Sequence, residues 1–441
     1  MRNILKFSLL CAALCTMNII NNNAYSMESN NMETQFETAI DNIKNYGAAF
    51  PRAGLTNIGA TCYINAVLQC LANDTDFVLD FLREVKYQYK NLKQRSSNKQ
   101  NENDANECKM VLELANVITE LWTLQFDNNG NYKQDKPCSA HNFRKIFNHL
   151  FKIEQLNGRE YYLLRNLFCI IHKVLGKKNE NGNNIKSYSS GAQFAFEYLK
   201  NNQSCVSNIF YFTEISKSIC DSCKYEFDAY QIANHLVFPL EAIMEWKLKN
   251  NQMQMYNQMQ WYNNQIPMYY NQMQMYNQNQ TQWNNSDVTV TLHDCFDFNN
   301  KIDYCNGVYC DNCQCQTDAQ NVIKMMYTPN TLAIELHRKQ NNKYDIRIDI
   351  PEEADLQQYA DIKTDGKNYF LSSMVCFIKG SDGTDGYSNH FITIARTTQY
   401  SPWVKYNDAF VDVIEDKEEL NKILSGNSNI VPHILFYKKM K

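Results

Sequence analysis

The sequence predicts an α+β protein, and three observations carry that prediction. The first half is patterned for helices, the second half for short strands, and the 441 residues are 44% hydrophobic. Helices and strands segregated in this way pack as α+β layers. A chain of this length buries a large core, as one lobed domain or as two. The net charge of −4 is mild and gives no electrostatic footprint for nucleic acid. Asn and Gln are frequent, which is a bias of composition and not a chemical signal.

Residues 1–26 read as an export signal peptide. Arg2 and Lys6 give a basic start, Phe7 to Ile20 is mostly apolar, and Ala24-Tyr25-Ser26 places small residues at −3 and −1 before Met27. Thr16 and Asn18 interrupt the apolar run, which is too short for a membrane span, and no later segment is long and apolar enough. Residues 27–47 are polar and Asn-rich and predict a flexible leader, so folding is expected to begin near Ala48.

Residues 54–90 predict a tight glycine-containing loop followed by helix, and the charged stretch Arg95–Asn106 an exposed loop. Helical patterns follow at Cys108–Thr123 and Ala140–Leu150, a break at Asn181–Asn184, and a further helix at Gln193–Leu199. Strand texture begins at Phe210 and recurs at Tyr225–Phe227 and His235–Phe238. Residues 250–285 carry one seven-residue repeat at 251–257 and again at 271–277; they lack charge and aliphatic content and predict a loop insertion. Strands resume near 287–292, 331–337, 344–350, 370–378, 391–395 and 403–406, and His433–Tyr437 closes the series.

The segment Gly54-Leu-Thr-Asn57-Ile-Gly59-Ala-Thr-Cys62-Tyr-Ile-Asn65-Ala-Val-Leu-Gln69-Cys-Leu71 carries the most information. Ile64, Val67, Leu68 and Leu71 follow the i, i+3, i+4, i+7 helical spacing, with Thr61 as the expected N-cap. Cys62 then sits in the first turn, where the positive end of the helix dipole favours a thiolate, the nucleophilic form. Asn57 lies in the preceding loop, placed to donate to an oxyanion together with the Cys62 N–H. A lone cysteine at a helix start is ordinarily core. What sets this one apart is the family resemblance of the surrounding segment, given below.

A thiol nucleophile needs a base, usually His, held by a third group. Among the eight histidines His390 is the best placed. It follows a turn with Gly380, Gly383 and Gly386 and opens the strand Phe391–Ala395. In an antiparallel hairpin the end of the next strand returns to that point, which brings Asn407 or Asp408 to the imidazole.

Of the 16 cysteines, Cys11 and Cys15 fall in the signal, while Cys220, Cys223, Cys310 and Cys313 form two Cys-x-x-Cys knuckles. Four thiolates at this spacing suit tetrahedral zinc better than a disulfide ladder. Cys305 and Cys315 lie close enough to compete as ligands in the second knuckle. The protein is expected to work in a reducing compartment even if exported.

These stretches resemble the ubiquitin-specific protease family. The Cys62 segment resembles its cysteine box, and His390-Phe391 followed by Trp403-Val-Lys-Tyr-Asn407-Asp408 resembles its histidine box. Pro432–Tyr437 is similar to its final strand, Leu332–Arg338 and Leu292–Phe296 to other strand elements, and Gly191–Leu199 to a thumb helix. Departures are Asn389 for Gly, Phe391 for Tyr, Asn407 for the commoner Asp, Lys339 for Phe, and Gly191 and Phe194 for acidic residues.

The resemblance implies a papain-like, hand-shaped fold: a thumb over about 48–205, zinc-tied β fingers over about 206–330 and a palm over about 331–441. It implies a deubiquitinase that cuts after the C-terminal glycine of ubiquitin. Cys62 would be the nucleophile, His390 the base, Asn407 the third member, Asp408 the adjacent acid and Asn57 the oxyanion donor. Structural zinc would sit on the four knuckle cysteines. Ubiquitin or ubiquitinated proteins are the expected partners, with no nucleic acid, no stable membrane span after signal removal and a monomeric state. Together with the export signal this predicts an effector acting on host ubiquitin in host cytoplasm. A weakly catalytic ubiquitin-binding module and a protease for a ubiquitin-like modifier remain open alternatives.

Overall fold

The computed structural model describes residues 32–45, 53–58, 61–123, 137–151, 161–176, 203–265, 288–326, 328–338, 346–361, 368–379 and 390–440. A helical lobe comes first: α1 (32–45), α2 (Cys62–Asn73), α3 (Thr75–Ser96), α4 (Glu102–Trp122), α5 (His141–Phe151), α6 (Tyr161–Leu175) and α7 (Cys205–Ile209). Then β1 (Phe212–Cys220), β2 (Glu226–Ala233), β3 (Leu236–Pro239), α8 (Leu240–Gln265), β4 (Thr289–Thr291) and α9 (Leu292–Asn299) lead to β5 (Asp303–Cys310) and β6 (Cys315–Met325). The chain ends with β7 (Thr331–His337), β8 (Arg347–Asp349), β9 (Glu353–Asp355), β10 (Asn368–Ile378), β11 (His390–Ala395), β12 (Val404–Asn407), β13 (Phe410–Val413), α10 (Lys417–Leu424) and β14 (Ile430–Lys439).

Most of the described strands fall in two sheets, while β4 and β8 pair in parallel as a third. A four-stranded sheet in the order β2-β1-β6-β5 forms the fingers, and a larger sheet in the order β13-β12-β11-β10-β14-β7-β3, with β9 on β10, forms the palm. This is the α+β architecture the sequence predicts. Leu236–Pro239 leaves the fingers and pairs in parallel with β7, so part of the 206–330 interval belongs to the palm.

Further sequence expectations are corrected, among them Leu292–Phe296, likened to a strand element but forming the start of helix α9, which Thr291 caps by accepting from the Asp294 N–H. Residues 32–45, read as part of a flexible leader, form a helix whose Phe36, Ala39, Ile40 and Ile43 are buried in the helical core. That i, i+3, i+4, i+7 stripe makes the helix amphipathic despite its polar composition. The Arg95–Asn106 loop shrinks to residues 97–101, because α3 runs to Ser96 and α4 starts at Glu102 with Asn101 accepting from the Asp104 N–H. The loop read over 250–285 is helical as far as Gln265, as a continuation of α8; residues 266–287 lie outside the described residues. So do the helix expected at Gln193–Leu199, the Asn181–Asn184 break and the export signal. Among the described residues no helix is long and apolar enough to cross a membrane.

Helix α2 positions the site. All twelve of its residues are buried, because it lies between the other helices and the palm sheet. Thr393 Oγ1 on β11 donates to the Ala66 carbonyl at 2.7 Å, and the Tyr406 hydroxyl on β12 donates to Asn73 Oδ1 at 3.1 Å. The following helix is pinned to the sheet by Asp74. Its carboxylate caps Phe77 N at 3.3 Å, accepts from Thr331 Oγ1 at 2.8 Å, and meets the buried Lys438 ammonium at 3.2 Å. A polar group this deeply buried is stable only with such partners.

Candidate active site and metal centre

Cys62 opens α2 at the seam between the helical lobe and the palm, and it is only 8% exposed. His390 opens β11 and faces it across the seam. The antiparallel register Thr393↔Tyr406, Ile394↔Lys405, Ala395↔Val404 carries β12 back alongside β11 and delivers Asn407. His390 Nε2 lies 2.6 Å from Asn407 Oδ1. Amide oxygen only accepts, so Nε2 carries the proton and Nδ1 is left for Cys62. The His390 pKa is pushed up to about 9, chiefly by the hydrogen bond with the Cys62 side chain; burial opposes this, and the Asn407 bond and the Asp408 charge reinforce it. The residues following the two reactive groups lock together as well: the Tyr63 and Phe391 rings meet edge to face, with centroids 5.0 Å apart. That contact gives Phe391, which stands where the resembled family has Tyr, a role in the core.

The sequence left open whether Asn407 or Asp408 orients the imidazole, and the geometry assigns that contact to Asn407. Asp408 Oδ2 stands 3.9 Å from His390 Nε2, beyond hydrogen-bond reach. Its carboxylate instead accepts from Asn57 Nδ2 and from Asn65 Nδ2, each at 2.9 Å. The turn is tightly built. Asp408 takes a left-handed φ of 51°, and its carbonyl accepts from Leu55 N at 2.8 Å. Gly54 is required there, since a Cβ would lie 2.4 Å from the Asp408 oxygen.

Thr61 does not cap α2 with its side chain. Its hydroxyl instead accepts from Ile58 N at 3.2 Å and donates to Asn57 Oδ1 at 3.1 Å, which fixes the Asn57 amide in the loop. Cys62, His390, Asn407, Asp408 and Asn57 are therefore brought to one place. Gly59 and Asn389 lie outside the described residues.

The sequence reading assigned no role to Asn65, Gln69 and Asn73. Gln69 Nε2 donates to the Ala53 carbonyl at 3.0 Å and Asn73 Nδ2 to the Gln69 carbonyl at 2.8 Å. Amides recurring every fourth residue on an otherwise apolar helix were the available signal, because such a stripe stays on one buried face.

At the far end of the fingers the two knuckles face each other. Cys220, Cys223, Cys310 and Cys313 have their sulfurs within 4.8 Å of one another. The cross-knuckle separations are 3.8 Å for Cys220–Cys313 and 3.6 Å for Cys223–Cys310. Zn–S bonds of about 2.3 Å in a tetrahedron put sulfurs roughly 3.8 Å apart, so the donor set fits a tetrahedral metal. Each knuckle is followed by a residue at positive φ, Lys224 at 60° and Gln314 at 54°, and each closes with a bond to the carbonyl of its first cysteine. Cys305 and Cys315 are not members of the cluster.

A thiol, an imidazole held in one tautomer and an amide acceptor, set between a helical lobe and a sheet, define a cysteine-type hydrolase of papain-like fold. The chain belongs to the ubiquitin carboxyl-terminal hydrolase family, whose match spans residues 53–437. Ubiquitin carboxyl-terminal hydrolase 48 of Danio rerio is 28% identical to it over 128 residues, 27% of this chain and 12% of that protein. Its Rattus norvegicus counterpart is 28% identical over 123 residues, 26% and 11% of the two chains, and the Gallus gallus protein is 27% identical over 128 residues, 27% and 12%. These matches cover about an eighth of each relative.

Proposed function

We propose that this protein is a deubiquitinase that hydrolyses the peptide or isopeptide bond after the C-terminal glycine of ubiquitin. The observation that carries this is the alignment of Cys62, His390 and Asn407 within the family match.

In this reading the Cys62 thiolate attacks the glycine carbonyl carbon, and the carbonyl electrons move to oxygen. The Asn57 amide and the Cys62 N–H stabilise that oxyanion. The His390 imidazolium then gives its Nδ1 proton to the leaving amine as the C–N bond breaks, leaving a thioester. Water, deprotonated by His390, attacks the thioester and releases the glycine carboxylate and the thiol. Asn407 keeps the imidazole in one tautomer throughout, and the Asp408 charge supports the imidazolium from 3.9 Å.

Zinc is the metal that the four-cysteine cluster fits best. Cys220, Cys223, Cys310 and Cys313 would hold it, and it would supply structural cross-linking of the fingers and no chemistry. The pattern of residues 1–26 supports export of the protein to act on ubiquitin outside its producer. Recovery of a chain beginning at Met27 outside the producing cell is the expected result; an unprocessed chain kept inside overturns that part.

The test of the activity is cleavage of a lysine-linked ubiquitin peptide, beside the same peptide joined to other ubiquitin-like modifiers. Release of ubiquitin with an intact C-terminal glycine is expected. Cleavage of another modifier alone, or ubiquitin binding without turnover, overturns it.

A further inference from the structure

Four residues around the nucleophile close a ring of hydrogen bonds. Asn65 Nδ2 donates to Asp408 Oδ1 at 2.9 Å, and Asp408 Oδ2 accepts from Asn57 Nδ2 at 2.9 Å. Asn57 Oδ1 accepts from Thr61 Oγ1 at 3.1 Å, and the Thr61 carbonyl accepts the backbone N–H of Asn65 at 2.9 Å. The ring joins the loop before the nucleophile, the first turn of its helix and the turn after β12. Asn65 is 2% exposed and anchors it from below.

The orientation of the Asn65 amide follows from its surroundings. Its Nδ2 meets the Asp408 carboxylate and, at 3.4 Å each, the Leu55 and Thr56 carbonyls. Turning the amide over would set its oxygen against three acceptors, so the NH₂ must point this way. Its Oδ1 meets no hydrogen-bond donor among the described residues. An unmet buried acceptor is costly, so the stabilising hydrogen bonds of this side chain are those its NH₂ makes.

We propose that Asn65 is a positioning residue for oxyanion stabilisation: it fixes the Asp408 carboxylate, whose second oxygen aims the Asn57 amide. It touches neither substrate nor the reacting atoms. The inference rests on the proposed hydrolase reading and adds to it a division of labour within the turn. Asn407 serves the imidazole, and Asp408, held by Asn65, serves the oxyanion donor.

The experiment uses the full chain with Asn65→Leu, which is close to isosteric and loses nothing on the Oδ1 side, and with Thr61→Val, which removes the second support of Asn57. Three readouts are compared: hydrolysis of a ubiquitin C-terminal amide, affinity for a ubiquitin C-terminal aldehyde, and the pH dependence of Cys62 alkylation by iodoacetamide. Alkylation needs the thiol and imidazole but no oxyanion donor. The aldehyde adduct carries the oxyanion.

Removal of one oxyanion donor commonly costs about 10²–10³ in kcat. A mis-aimed donor is expected to cost part of that, roughly 10–100-fold in kcat for Asn65→Leu, with KM little changed and the aldehyde bound more weakly by a similar factor. The alkylation profile should match wild type. Combining Asn65→Leu with Asn57→Ala should add little to Asn57→Ala alone, because both act through one amide.

Full additivity of the two substitutions, or alkylation and hydrolysis falling together, overturns the proposal in favour of a general packing role. Unchanged hydrolysis in Asn65→Leu, whatever Thr61→Val does, overturns it as well. Failure of the underlying hydrolase reading has a separate signature, an inactive wild-type chain that neither hydrolyses the amide nor binds the aldehyde.

Discussion

The His390 imidazole is held by Asn407 at 2.6 Å, while the neighbouring Asp408 carboxylate stands at 3.9 Å and is bonded to two asparagine amides. A neutral amide therefore sets the tautomer, and the anion one residue further on works mainly elsewhere. Asn407→Ala should lower kcat/KM by about 10²-fold or more, since a base in the wrong orientation loses most of its contribution. Asn407→Asp should retain activity. Steady-state kinetics on a ubiquitin C-terminal amide would check both.

The same contact makes a pH prediction. His390 titrates at about 9, above its ordinary range, because the Cys62 and Asn407 contacts favour the imidazolium. The acid that protonates the leaving amine is present below that value and disappears above it, so kcat/KM should fall on the alkaline side near pH 9. Removing the Asn407 oxygen removes a contact that raises this pKa. The alkaline limb of Asn407→Ala should move to lower pH; a limb that moves up or stays would contradict the assignment.

Gly54 tests the coupling between the two catalytic segments. A methyl group there would lie 2.4 Å from the Asp408 carbonyl oxygen, so the loop and the turn must separate. Displacement of about 1 Å at a reacting centre can cost 10²-fold. Gly54→Ala should therefore lose roughly two orders of magnitude in kcat while the far-ultraviolet circular dichroism stays native, because the change is local.

The first helix supplies a stability prediction. Phe36 is fully buried and stacks edge to face on Tyr89 at 5.8 Å. Phe36→Ala should destabilise the helical lobe by about 3–5 kcal/mol, read from denaturant unfolding. A chain cut to begin at Ala48 should be less stable still.

Metal removal should act on the fingers. One zinc ion per chain is expected from the four-sulfur cluster, released by a strong chelator or by Cys310→Ser and counted with a chromogenic zinc indicator. Because metal ligation contributes directly to local folding, the stripped protein should be cut by protease within β1, β2, β5 and β6 before the palm strands. Equal protection with and without metal would contradict a structural role.

The candidate site residues were legible because their placement is local in sequence: a cysteine at a helix start, a histidine at a strand start, and an amide at the end of the following strand. The knuckles were legible for the same reason. What escaped is what depends on distant partners. The return of Leu236–Pro239 to the palm is set by parallel pairing with a strand about a hundred residues on, which no local pattern encodes. Helix 32–45 had its stripe at Phe36, Ala39, Ile40 and Ile43, but the surrounding Asn, Glu and Thr read as leader. Thr61 looked like a cap and proved to be a brace for Asn57, a distinction made by side-chain direction alone.

The most direct measurement is labelling of residues 27–441 by ubiquitin carrying a C-terminal electrophile, beside Cys62→Ala. One ubiquitin should attach to the wild-type chain and none to the variant, with the adduct mapped to the Cys62 sulfur. A folded, zinc-loaded wild-type chain that stays unlabelled, or labelling that survives Cys62→Ala, would contradict the assignment of Cys62 as the nucleophile of a ubiquitin hydrolase.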